Sequence, residues 1–102
     1  MPFQWKIAIN MNPQGPSPRV VFDPNPLEAK VLDQIFWVNN DASEAHWPGL
    51  LKDDGTIDQT FFMPNQIAPN GDTSAIFSPS VPATYKYACS LHPEEQGTIT
   101  VT

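Results

Sequence analysis

From Phe3 to Asn10 apolar and polar residues alternate, with Phe3, Trp5, Ile7 and Ile9 on one side and Gln4, Lys6, Ala8 and Asn10 on the other. Bulky apolar residues at period two predict a half-buried strand. The turn-rich run Asn12-Pro13-Gln14-Gly15-Pro16-Ser17-Pro18 ends it. Residues 19–22 predict a second short strand, closed by Asp23-Pro24-Asn25-Pro26. Leu27, Val31 and Ile35 could mark a helix face, but Ile35-Phe36-Trp37-Val38 is β-branched or aromatic and Asn39-Asn40-Asp41 stops the run like a turn. Residues 30–39 therefore read as strand. Residues 42–57 look irregular. Further strands are predicted over 60–63, 73–78, 84–88 and 97–102, separated by turns built on Pro64, Pro69, Asn70-Gly71 and Pro79-Ser80-Val81-Pro82.

Six to eight short strands with turn signals between them predict an all-β fold, a Greek-key β-sandwich, antiparallel for the most part. The twelve prolines agree, because an interior proline removes a helical hydrogen bond and clashes with the preceding turn. There is no internal repeat and no linker, and 102 residues suit one domain over 1–102 with a modest core of its own. A composition of 40% hydrophobic and 11% aromatic residues is that of a globular chain.

Charge narrows the partners. Eleven acidic residues against five Lys and Arg give a formal net charge of −6. Without clustered cations there is nothing to neutralise phosphates or to hold an anionic membrane surface, so nucleic acid and such membranes are excluded as partners. No apolar run approaches the roughly 20 residues of a spanning helix, so no membrane insertion is expected. Met1 to Met11 is interrupted by polar residues and shows no apolar leader segment, so no signal peptide is read in this chain.

One cysteine precludes an intrachain disulfide; it is a buried filler, a reactive group or a metal ligand. Its position bears on the choice. Cys89 ends a predicted strand, His92 follows three residues later, and Gly97 opens the final strand, so one short loop can present a thiolate and an imidazole to one ion. The only other histidine, His46, lies in the loop after the strand that ends at Asn39. One thiolate and two imidazoles form the donor set of copper electron-transfer sites, where sulfur stabilises Cu(I) and nitrogen suits both oxidation states. A nucleophilic Cys–His pair lacks an orienting third group and oxyanion donors. Zinc accepts the same donors tetrahedrally and stays open on these grounds.

The ending Tyr87-Ala88-Cys89-Ser90-Leu91-His92-Pro93, followed by Gly97-Thr98-Ile99, resembles the C-terminal loop and last strand of the plastocyanin/amicyanin branch of the cupredoxins. Trp37-Val38-Asn39-Asn40-Asp41 followed by His46 resembles that family's first-ligand region. Pro69-Asn70-Gly71-Asp72, Phe77, Pro82 and Tyr85 run in the family's order, and the resemblance covers roughly residues 30 to 102.

The resemblance implies one copper ion held by His46, Cys89 and His92. It further implies one-electron transfer with a redox partner, a monomer, and a periplasmic or extracellular setting. Asn39 or Asn40 resembles the asparagine that ties the first-ligand loop to the cysteine loop. The sequence departs from the family at the axial position: Glu95 and Gly97 stand where relatives place methionine, and Gln96 lies between them. Glu95, Gln96 or no residue then completes the site, with Glu95 aligning best on the His-Pro and the closing glycine. A carboxylate-ligated or open site would instead suit a copper-dependent enzyme or a small-molecule-binding protein. Glu94 reads as a solvated acidic residue. Trp47, Pro48 and Leu91 read either as core or as an apolar docking patch around the site. With net charge −6, the partner is expected to carry a basic face.

Overall fold

The computed structural model describes residues 3–102, and Met1 and Pro2 lie outside it. Its strands are β1 (Gln4–Met11), β2 (Val20–Asp23), β3 (Leu27–Ala29), β4 (Gln34–Asn39), β5 (Pro48–Leu51), β6 (Ile57–Asp58), β7 (Asp72–Thr73), β8 (Ala83–Cys89) and β9 (His92–Val101). They form two sheets, one in the order β2-β1-β4-β7 and the other β3-β9-β8-β5-β6. Parallel pairing joins β1 to β4 and β3 to β9, and all other pairs are antiparallel. The molecule is an all-β sandwich of two mixed sheets, with no helix among the described residues and so none able to cross a membrane.

The alternating positions supply the core. Ile7 and Ile9 of β1, Ile35 and Trp37 of β4, Tyr87 of β8 and Ile99 and Val101 of β9 are all buried on the facing sides of the sheets. Trp37 and Tyr87 meet edge-to-face across the sandwich with ring centroids 5.4 Å apart, and Phe22 meets Tyr87 at 4.9 Å. Such edge-to-face pairs each add roughly 0.5–1.5 kcal/mol beyond the area they bury. Phe3, at the open end of the alternation, stays exposed.

Several boundaries differ from expectation for local reasons. The strand predicted over 30–39 begins only at Gln34, because Asp33 folds the chain into a turn: its carboxylate accepts from the backbone N–H of Lys30 and Phe3, and Leu32 takes φ 71°. Residues 60–63 form no strand; Phe62 and Met63 are buried from an irregular segment, Phe62 packing against Trp37 and Phe77. Of the strand predicted over 73–78, only Asp72–Thr73 and an isolated bridge between Ile35 and Phe77 form. The stretch read as irregular contains β5. Finally, His92 opens the last strand and Gly97 lies within it.

Candidate metal centre

The donor groups converge at one end of the sandwich from three places. His46 sits in the loop before β5, where its backbone exchanges two hydrogen bonds with Ile67, at 3.1 and 2.8 Å. Cys89 ends β8. His92 opens β9 and pairs in register with Cys89 across the two-residue turn Ser90-Leu91, at a bulge in the ladder. Glu95 lies three residues further along β9 with its side chain turned inward, 1% exposed.

Cys89 Sγ is 3.7 Å from His46 Nδ1 and 3.6 Å from His92 Nδ1. Glu95 Oε1 is 3.1 Å from His46 Nδ1 and 3.5 Å from His92 Nδ1. One donor atom from each of the four residues lies within 4.8 Å of all the others. His46, Cys89 and Glu95 are buried; the His92 side chain keeps 27% exposure.

The outer contacts decide which ring nitrogens face the cluster. His46 Nε2 is 3.0 Å from Asp41 Oδ2, and His92 Nε2 is 3.0 Å from Glu44 Oε1. An ionised carboxylate only accepts, so each Nε2 carries the proton and in the neutral rings each Nδ1 offers a lone pair inward. Asp41 is held ionised by Arg19, whose guanidinium donates through Nε and Nη2 at 2.8 and 3.1 Å. That pairing, followed by hydrogen bonds from the Ser43 backbone, His46 and the Glu44 backbone, keeps the Asp41 carboxyl far below the usual range despite burial.

This geometry fits a cation. Neither oxygen of Glu95 has a hydrogen-bond partner among the described residues, although Oε1 and His46 Nδ1 lie 3.1 Å apart, because two acceptors face one another. Burial, the largest influence on it, raises the Glu95 carboxyl above its ordinary value. Burial likewise pushes the Cys89 thiol up, while N–H donors, first that of Trp47 at 3.3 Å from Sγ, pull it down. A bare carboxylate, two inward lone pairs and a thiol with an N–H on its sulfur are what a thiophilic ion needs.

Of the residues left open at the axial position, the structure brings Glu95 to the cluster. Gln96 is exposed and donates to the Pro93 carbonyl, and Gly97 has no donor to offer. Neither asparagine makes the expected tie to the cysteine turn: Asn39 is buried, donates to the carbonyls of Glu44, Ile67 and Ala68, and accepts from Asp41 N–H. Asn40 is exposed and bonds Asn10. The tie to the cysteine turn comes from elsewhere, through Trp47 N–H to Cys89 Sγ and through the Ser90 N–H and hydroxyl to Trp47 O. Pro48 is buried and Trp47 packs on the core, whereas Leu91 is 42% exposed beside His92. Glu94 is exposed, as expected.

Sequence reasoning missed Asp41, Glu44 and Arg19. Asp41 reads in the sequence as a turn residue closing the first-ligand segment and not as a partner of His46, and Arg19 lies 22 residues from it in the chain.

Fold and cluster together define the class: a cupredoxin fold whose His46, Cys89 and His92 make a candidate type 1 copper site. The chain is similar to a purple cupredoxin from Nitrosopumilus maritimus, with 28% identity and a TM-score of 0.76 over 95% of this chain and 98% of that one. It is also similar in fold to an amicyanin from Paracoccus versutus, with 18% identity and a TM-score of 0.66 over 95% of this chain and 81% of that one. A reduced Cu(I) form of an amicyanin variant superposes equally well, with a TM-score of 0.66 at 18% identity, covering 95% of this chain and 82% of that one. No family model matches the chain, and no curated protein does.

Proposed function

We propose that the chain, acting as one domain over 1–102, is a mononuclear copper protein that carries single electrons. His46, Cys89 and His92 would hold the ion, with Glu95 as a fourth ligand. The observation that carries this reading is the convergence of Sγ, two inward Nδ1 atoms and an unpartnered carboxylate within 4.8 Å of one another. Its likeness to cupredoxins, one described as purple and one as a Cu(I) form, agrees with it.

When bound at these residues, copper would supply the redox chemistry, a one-electron change between Cu(II) and Cu(I). The protein's part is to make one geometry serve both states. Asp41 and Glu44 fix the ring tautomers, Trp47 N–H stabilises the thiolate, and the burial of His46, Cys89 and Glu95 excludes water. His92, the one partly exposed donor, would be the edge through which the electron passes, with Leu91 beside it as the apolar contact for a partner. Net charge −6 suits a partner with a basic face, and a carrier of this size works as a monomer. A periplasmic or extracellular setting belongs to the same reading.

The enzyme or small-molecule-binding alternative needs an exchangeable position at an open or carboxylate-ligated site, whereas in the present reading Glu95 would occupy the fourth position. The test is the absorption and EPR spectrum of the copper-loaded protein. A strong sulfur-to-copper band with a type 1 EPR signal is expected. A colourless protein that prefers zinc would overturn the reading, and a band displaced by added azide would favour the open-site alternative.

A further inference from the structure

Arg19 is the only arginine of the chain, and it stands outside the donor set, just before β2. Its Nε and Nη2 form a fork on Asp41, Nη2 also donates to Ser43 Oγ at 2.8 Å, and Nε lies 3.3 Å from Glu44 Oε2. Asp41 and Glu44 are the two carboxylates that hold the Nε2 atoms of His46 and His92. One guanidinium therefore joins the outer contacts of both imidazoles, although the two rings come from different segments of the chain.

We propose that Arg19 is a positioning residue for both imidazoles: by gripping Asp41 and Glu44 together, it keeps His46 and His92 with Nδ1 turned into the cluster. The two halves differ in strength. The Asp41 side chain is fully buried and bidentate on Arg19, a geometry that fixes direction as well as charge. The Glu44 side chain is 42% exposed and has one longer contact, so salt screens it more. Without Arg19, Asp41 and Glu44 would face each other across this small space as like charges, one of them buried and uncompensated. Lysine cannot replace the fork, since it carries a compact charge with no planar pair of donors.

The inference toward copper rests on the proposed function, but its first test does not. Imidazole 15N spectra of the metal-free protein at neutral pH report the tautomers directly. Both rings are expected as single Nε2–H tautomers in the wild type and as tautomer mixtures in Arg19→Gln and Arg19→Lys. Copper affinity should fall in both variants, by up to the roughly 10- to 100-fold that losing an outer-shell partner costs, because Arg19 acts through the partners Asp41 and Glu44.

Glu44→Ala should release His92 alone and leave His46 fixed, and it serves as the test if the Arg19 variants do not fold. Variants that lose thermal stability while both rings keep the wild-type tautomer would make Arg19 a plain structural ion pair and overturn the proposal. So would a Glu44→Ala protein whose His92 tautomer is unchanged. A wild type that binds no copper would overturn the functional reading and leave the tautomer result to decide this one.

Discussion

Tyr87 lies with its ring across Gly97, its register partner in the neighbouring strand, two residues before the Cys89 thiol. A Cβ at Gly97 would overlap the ring carbon Cζ and the hydroxyl. The absence of that atom lets Tyr87 pack fully buried between Phe22 and Trp37. Tyr87 thereby links the core to the strand that ends in Cys89.

Gly97→Ala should accordingly destabilise the fold by about 1–3 kcal/mol, the usual cost of overpacking. The ring must leave its place, because β9 backbone leaves the new methyl nowhere else to go. Denaturant midpoints and near-ultraviolet circular dichroism check this. A variant with the wild-type midpoint and an undisturbed aromatic signal would show that Tyr87 moves aside freely.

Cys89→Ser removes the only thiolate in the chain. All of the sulfur-to-copper absorption should vanish, while far-ultraviolet circular dichroism and cooperative unfolding persist, since the core is built by other residues. Serine can still accept from Trp47 N–H. A strong visible band surviving in this variant would show that Cys89 is not the sulfur ligand.

Much of this arrangement was legible in the sequence, and the misses share a cause. Period two in Ile7 and Ile9 and the β-branched and aromatic run to Trp37 place the inner faces correctly, because one buried side imposes alternation. The strand β5 escaped because Pro48 and Gly49 read as breakers. Yet Pro48 opens the strand opposite Cys89, and a Cβ at Gly49 would collide with the Asp58 carbonyl and Ile57 Cγ2. Cys89 and His92 are close in sequence, so spacing offered them as a pair, and the family resemblance offered Glu95 beside Gln96 or no residue. Arg19 and Asp41 are paired only by the fold.

Asp33 should set part of the acid limb of stability. Its carboxylate accepts from Lys30 N–H at 3.0 Å, Phe3 N–H at 2.9 Å and Trp5 Nε1–H at 2.9 Å. These bonds, that from Lys30 first, hold the carboxyl below its ordinary value. A depressed native pKa means that the folded state favours the ionised form. The contribution is therefore full above the unfolded-state pKa near 4 and is lost as pH falls through the lower native value. Asp33→Asn should be less stable than wild type at pH 7, with the gap closing as both are taken towards pH 2. A gap of constant size across that range would mean the carboxylate's charge has no part in it.

Glu95 is where the site departs from a thioether-ligated one, and its chemistry can be separated from its burial. If it donates to copper, Glu95 would be a harder and stronger fourth ligand than a thioether and would compete with the Cys89 sulfur for the ion. That weakens the overlap behind a blue colour and moves the dominant absorption away from it, and the negative charge favours Cu(II) and lowers the potential. Glu95→Met should shift the spectrum towards blue and raise the potential. Gln96→Met should do neither, because Gln96 points to the Pro93 carbonyl at the surface. Without metal the order reverses: a buried carboxylate with no hydrogen-bond partner is unfavourable, so metal-free Glu95→Met should unfold at higher denaturant than metal-free wild type. Copper should then stabilise the wild type by the larger margin, since binding to the folded state adds in proportion to the logarithm of affinity. Unchanged colour and potential in Glu95→Ala would reduce Glu95 to a buried carboxyl beside a three-ligand site, whatever its effect on unfolding.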